Sequence, residues 1–296
     1  METGGIFMAI DVLQAKIRKL KNPAMVNLSM DPADLPPHLL KYGKAAGYGV
    51  FCKELLTTLK GLVPAIRVGM TPFILLGAEG LAELGSVLQT AHELGFYVAL
   101  EAPAMFSPGM ASAVADTILG EDSSWPCDAL ILEAYLGSDV VKPFVPYCNK
   151  GKDLFCVVRT SNKSAPEIQD LLTGTRLVHA AAADLFYRFT GNGTGKSGYA
   201  RVGVVAGANS AESLRQLRAK YPKMFLLVDD LDYPGCNAKN CSQAFDQFGY
   251  GAVCCSGSSI TLAWKNAKTD GQDFAAQALT AAERMRHNLT RYTTIL

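Results

Sequence analysis

Four kinds of side chain in this sequence have the chemistry to act on a substrate. Glu101 closes the apolar run Phe96-Tyr97-Val98-Ala99-Leu100, and Glu133 closes Ala129-Leu130-Ile131-Leu132 in the same way. A carboxylate at the C-terminal end of a buried strand stands where an α/β barrel keeps its reactive groups. Arg67 lies near the end of Ala65-Ile66-Arg67-Val68, and its fixed charge can pair with those acids but can scarcely donate a proton. Asp229, Asp230 and Asp232 form an acidic trio after Phe225–Val228. Turned inward with Glu101 and Glu133, Asp229 and Asp232 could offer oxygen ligands to a cation; turned outward they are a solvated loop. Arg67 with Glu101 and Glu133 reads foremost as an ion-pair cluster at a barrel mouth. Asp31-Pro32 and Thr160-Ser161-Asn162 could bind a ligand or could serve only to shape the turns that follow their strands. After Glu101 comes Ala-Pro-Ala-Met-Phe-Ser-Pro, with no acid, base or nucleophile before the serine.

The elements that must hold these groups alternate regularly. Eight short apolar strands are read at 24–30, 65–68, 96–101, 129–133, 154–159, 202–206, 225–228 and 252–255. Helical patterns follow them at 50–62, 80–94, 109–120, 139–148, 165–172 with 177–189, 210–220, 240–248 and 273–288, and one more, at 7–21, precedes the first strand. Strand after strand with a helix between predicts a parallel sheet, and eight of them predict a single (β/α)8 barrel over residues 1–296. Nothing resembling a linker, a repeat or a low-complexity segment divides the chain.

Composition narrows the function. With 28 basic against 27 acidic residues, no electrostatic footprint for nucleic acid or membrane is present. The start, Met1-Glu2-Thr3-Gly4-Gly5, lacks a basic region and apolar run, so no secretory leader is read there. No apolar stretch is long enough to span a bilayer. Eight cysteines without a C-x-x-C pair predict reduced, mostly buried thiols and a cytoplasmic protein. Cys236, Cys241, Cys254 and Cys255 do not have the spacing of common zinc motifs. The loop Gly191–Ser197 suggests a phosphate loop, but Thr190 stands at the first glycine position and a helix precedes it. His38, His92, His179 and His287 share no pattern and are expected at the surface.

Several stretches together resemble the orotidine 5′-phosphate decarboxylase family, in its longer bacterial class. They are Leu136-Gly137-Ser138-Asp139 before Pro143-Phe144, Phe155–Asn162 with Gln169-Asp170-Leu171, Val202–Ala208, Met30-Asp31-Pro32, and Ile260–Trp264 followed by a basic helix. The resemblance runs from about residue 8 to about residue 290. It implies a barrel dimer with sites at the subunit interface, and a cofactor-free decarboxylation of orotidine monophosphate to uridine monophosphate. It also implies a Lys-Asp-Lys-Asp array around the leaving carboxylate, the last Asp lent by the neighbouring subunit. An anion there crowds the substrate carboxylate, and an ammonium stabilises and then protonates the carbanion.

This sequence departs from that array at each position. Arg67 stands for the first Lys, Glu101 for Asp, Pro103 for the proton-donating Lys and Phe106 for the lent Asp. The phosphate positions have changed too, with Pro234 in place of a glutamine and Ser258 in place of a clamping arginine. Exchanging an arginine for serine beside three acids reverses the local field for a dianion. Asp31 (a ribose contact by resemblance), Ser161 (the pyrimidine edge), Asn162 and Asn209 remain as ligand candidates. The expectation is a catalytically deficient member of the family in pyrimidine nucleotide synthesis, without a cofactor. An active decarboxylase, or a barrel repurposed for another small molecule or cation, is the alternative. Apolar residues at the mouth (Met70, Phe73, Met105, Phe106, Met110) lead us to expect a homodimer or a heterodimer with an intact paralogue.

Overall fold

A computed structural model describes residues 9–102, 107–133, 135–192 and 194–296. Pro103, Met105 and Phe106 therefore lie outside the described residues. Eight parallel strands close a barrel: β1 (Ala24–Leu28), β2 (Ala65–Gly69), β3 (Tyr97–Glu101), β4 (Ala129–Glu133), β5 (Asp153–Arg159), β6 (Val202–Gly207), β7 (Leu226–Asp229) and β8 (Ala252–Ser256). Each strand pairs with its sequence neighbours, and β1 pairs with β8 to complete the ring. The (β/α)8 expectation is correct, and the observed strands match the predicted ones to within two residues at either end.

Alternation along each strand decides which residues the barrel encloses. Met25, Ala65, Tyr97, Ala99, Ala129, Ile131, Phe155, Val157, Val205, Phe225, Leu227, Val253 and Cys255 pack into one inner cluster. The residues between them, such as Val26, Ile66, Val98, Leu130, Cys156, Val204 and Val228, join the larger cluster under the helices. Continuing the inner parity towards the strand ends brings Arg67, Glu101, Glu133 and Asp229 to the mouth. Helix α1 (Ala9–Leu20) closes the opposite end, with Ile10, Leu13 and Ile17 in the inner cluster.

The outer ring includes α2 (Lys44–Leu59), α3 (Gly77–Glu93), α4 (Ala111–Leu119), α5 (Val178–Tyr187), α6 (Ala211–Lys220) and α7 (Phe274–Thr290). Gly95, at φ +85°, lets the chain leave α3 directly into β3, the Phe96 N–H returning to the Ala91 carbonyl at 3.1 Å. Of the expected helices, 139–148 is broken into Ser138–Val141 and Val145–Cys148 by the turn Lys142–Phe144, and those at 165–172 and 240–248 are replaced by shorter pieces. At 165–172 a single turn, Ala165–Glu167, is followed by the hairpin Leu172–Thr173/Arg176–Leu177 around Gly174 at φ +63°. There the Gln169 and Asp170 side chains bond back to Thr160 and Arg159, in competition with a helix. At 240–248 the helix ends by Ala244, because the Asp246 carboxylate accepts the N–H groups of Phe248 and Tyr250 at 2.8 and 2.9 Å. In the 191–197 loop, Asp11 accepts from the backbone N–H groups of Lys196 and Ser197. All eight cysteines are unpaired and seven are buried. No helix among the described residues is long and apolar enough to cross a membrane.

Candidate active site at the barrel mouth

Arg67 organises the mouth. Its side chain is 8% exposed, with Nη2 2.5 Å from Glu101 Oε1, Nε 3.2 Å from Glu101 Oε2 and Nη1 2.5 Å from Asp229 Oδ2. The register explains the triad: β2 lies between β1 and β3, and Gly69 pairs with Glu101. Asp229 reaches Arg67 from across the lumen. Burial alone would lower the guanidinium pKa, but the Asp229 and Glu101 charges outweigh it and raise it well above its usual value. Glu133 is not a partner of Arg67, contrary to the expected cluster; burial, then the Glu101 charge, raises its pKa.

Among the described residues, Glu101, Glu133, Asp229 and Asp232 do not assemble the cation site they could have offered. The ion pairs of Arg67 occupy Glu101 and Asp229, and no group of three His, Cys, Asp or Glu ligands forms among the described residues. Asp232 is engaged by the turn after β8 instead. Its Oδ2 accepts from the backbone N–H of Gly257 at 2.6 Å and of Ser259 at 3.2 Å, and from Ser258 Oγ at 3.4 Å. Its other oxygen accepts from Ser256 Oγ. The turn after β8 thus binds an anion, and that anion is the chain's own carboxylate. Sequence reasoning missed this role, although a serine-rich S-G-S-S turn beside an acid was the available signal.

Two adjoining hollows open on this layer. One, of ≈ 270 Å³, is lined by Asn27, Asp229, Asp230, Asp232, Tyr233, Pro234, Cys255, Gly257 and Ser258. The other, of ≈ 230 Å³, is lined by Asp31, Pro32, Gly69, Thr71, Leu75 and Glu101 among others. Asp31, exposed, uses one oxygen to accept from Ala33 N–H at 2.8 Å. Pro234 and Ser258 both reach the first hollow.

The remaining candidates form a separate network on β5 and β6. Arg159 bonds both oxygens of Asp170, at 3.1 and 3.0 Å, and Asn209 Oδ1 at 2.6 Å. Asn209 Nδ2 in turn bonds the Ser161 carbonyl at 3.2 Å, so its amide is occupied at both ends. His179, expected at the surface, is 3% exposed with Nδ1 3.1 Å from Asp170. Hydrogen bonding from Arg159 lowers the Asp170 pKa. Ser161 is 1% exposed, and its Oγ lies 3.8 Å from Cys236 Sγ. Gly207 permits this approach, since a Cβ there would lie 2.3 Å from Ser161 Oγ. Asn162 is exposed and accepts from Thr160 Oγ1. Of the apolar mouth residues, Met70 and Phe73 are buried in the core, whereas Met110 is 54% exposed.

Asp230 sits at φ +57°, and burial, followed by the Asp229 charge, raises its pKa to about 6. A carboxyl held above its unfolded value costs nothing below pH ~4 and destabilises progressively as pH rises through about 6. Asp230→Asn also suits the left-handed backbone. Its melting temperature should exceed the wild type's at pH 7.5, with the gap closing by pH 4. A gap that stays constant with pH would remove the titration from the account.

A closed (β/α)8 barrel with a charged layer at the C-terminal ends of its strands is the architecture of a barrel enzyme family. No family model matches the sequence. An orotidine 5′-phosphate decarboxylase of Rhodopirellula baltica is 32% identical over 249 residues, spanning 82% of this chain and 82% of that protein. A decarboxylase of the same name from Clostridium perfringens is 28% identical over 241 residues, 81% of this chain and 83% of the relative. The fold matches Leishmania donovani OMP decarboxylase at a TM-score of 0.73 and 22% identity, over 97% of this chain and 98% of that one. The chain belongs to the orotidine 5′-phosphate decarboxylase family.

Proposed function

We propose that this chain is a non-catalytic member of its family, acting in pyrimidine nucleotide synthesis as a homodimer or as the partner of an intact paralogue in the cytoplasm. The Arg67 triad carries this reading. Where the family resemblance implies an alternating array of ammonium and carboxylate groups, the mouth holds a guanidinium committed to Glu101 and Asp229. A guanidinium so held stabilises negative charge but has no accessible proton to give. The sequence adds Pro103 where the donor would stand. The second support is Asp232, which fills the N–H and hydroxyl nest of the β8 turn with a negative charge. A phosphate dianion would meet Asp232, Asp229 and Asp230 instead of a clamp.

Dimerisation is supported by the apolar side chains left exposed around the strand ends: Leu75 at 71%, Met110 at 54% and Leu136 at 62%. The partner role falls if the chain sediments as a monomer at micromolar concentration and recovers no paralogue from cells.

Uridine monophosphate should bind no more tightly than uridine, as read by calorimetry. Asp232→Gly should shift that ratio several-fold towards the nucleotide by freeing the Gly257 and Ser259 N–H groups. A wild-type preference of ten-fold or more for the nucleotide, about 1.4 kcal/mol, would mean that another group holds the phosphate. The second reading, an active decarboxylase, is favoured by the 32% identity across most of the Rhodopirellula baltica enzyme.

A further inference from the structure

One sizeable cavity lies outside the mouth. It lies between the segment after β7 and helix α7, has a volume of ≈ 580 Å³, and falls in the size range of small-molecule sites. Ala281, Arg284, Met285 and Asn288 recur at helical spacing, so one face of α7 forms its wall, with Arg291 and Tyr292 continuing it. Lys239 faces them from the helix-turn Ala238–Cys241.

The charge of this cavity is one-sided. Lys239, Arg284 and Arg291 line it, and no carboxylate pairs with any of the three among the described residues; the guanidinium of Arg291 lies 5.9 Å from the Tyr292 ring centre. The single acid in the lining is Asp232, whose oxygens already accept from Ser256, Gly257 and Ser259. A helix C-terminus favours cations, which accounts for Arg291. It accounts neither for Arg284, two turns earlier, nor for Lys239 on another element. Three unpaired cations around one hollow lower the cost of bringing in an anion with at least two charges. Leu231, Met285 and Tyr292 add apolar and aromatic surface beside them.

We infer that this cavity is a second ligand site, separate from the mouth, for a phosphorylated small molecule carrying two or more negative charges and an apolar or planar body. Asp232 borders both this cavity and the mouth hollow, so an anion bound here would bear directly on the β8 turn.

The test uses the full chain and inorganic pyrophosphate as the probe. Calorimetry should show saturable one-to-one binding that weakens with added salt. Hydrogen exchange should slow in segment 236–241 and in segment 281–292 on binding. The double variant Arg284→Gln/Arg291→Gln, whose side chains are exposed, should bind at least ten-fold more weakly with an unchanged melting temperature. Should that variant not fold, Lys239→Gln alone should still weaken binding several-fold. Absence of saturable binding at millimolar pyrophosphate, binding unchanged in these variants, or protection confined to the mouth would each overturn the proposal.

Discussion

Purified wild-type protein is expected to convert no orotidine monophosphate above background, followed as loss of substrate absorbance, and Pro103→Lys alone should not change that. A lone ammonium at that position would lack paired aspartates, and the substrate would lack its phosphate anchor. Binding energy from a remote group normally helps drive chemistry at the reacting centre. Recovery should need Glu101→Asp, Pro103→Lys and Phe106→Asp together with Ser258→Arg and Pro234→Gln. The structure adds two obstacles: Arg67, held by its two acids, and Asp232, seated in the nest where an anion would bind. Arg67→Lys and Asp232→Gly therefore belong in the same set. Groups acting as a unit are strongly non-additive, so partial sets should stay at background and the full set should gain on the order of 10² or more. Wild-type turnover that survives repurification from a host lacking its own decarboxylase would overturn the proposed function and favour the active enzyme.

Arg67→Ala should be the most damaging single change at the mouth. It would leave Glu101 and Asp229 without their partner, Asp229 with a side chain only 14% exposed, and would remove three hydrogen bonds. Breaking a buried ion pair from one side costs about 3–5 kcal/mol; the partial exposure of Glu101 places this case at about 3 kcal/mol, or a fall in melting temperature of about 5 °C for a chain of this length. The triple variant Arg67→Met/Glu101→Gln/Asp229→Asn should lose less, because no unpaired charge remains. If Arg67→Ala melts within a degree of the wild type, the triad contributes little and the mouth is more open to solvent than its burial implies.

The strand pattern was legible because a parallel barrel buries both faces of each strand, so eight apolar runs separated by helices leave few other architectures. Which residues share the mouth was legible for the same reason: Glu101, Glu133 and Asp229 end their strands, Arg67 lies two residues from the end of β2 with the same parity, and strand ends converge in a barrel. The two shortened helices were not legible, because their fate turned on side chains of Asp170, Gln169 and Asp246 capturing distant or local backbone and charge. The identities at 103, 106, 234 and 258 were likewise plain from sequence.

Pairing needed the tertiary structure. Arg67 pairs with Asp229 from across the lumen and not with Glu133 on a nearer strand, a matter of reach that only the closed barrel sets. Asp232 turned out to be an anion within a nest of N–H groups, because the β7 and β8 turns meet only once the barrel closes. His179 went inside, held by Asp170 next to Arg159. Periodicity reports which face of an element is buried, since burial is an average over many contacts. It says nothing of which charges meet, since that depends on separations of a few ångströms that closure of the barrel alone decides.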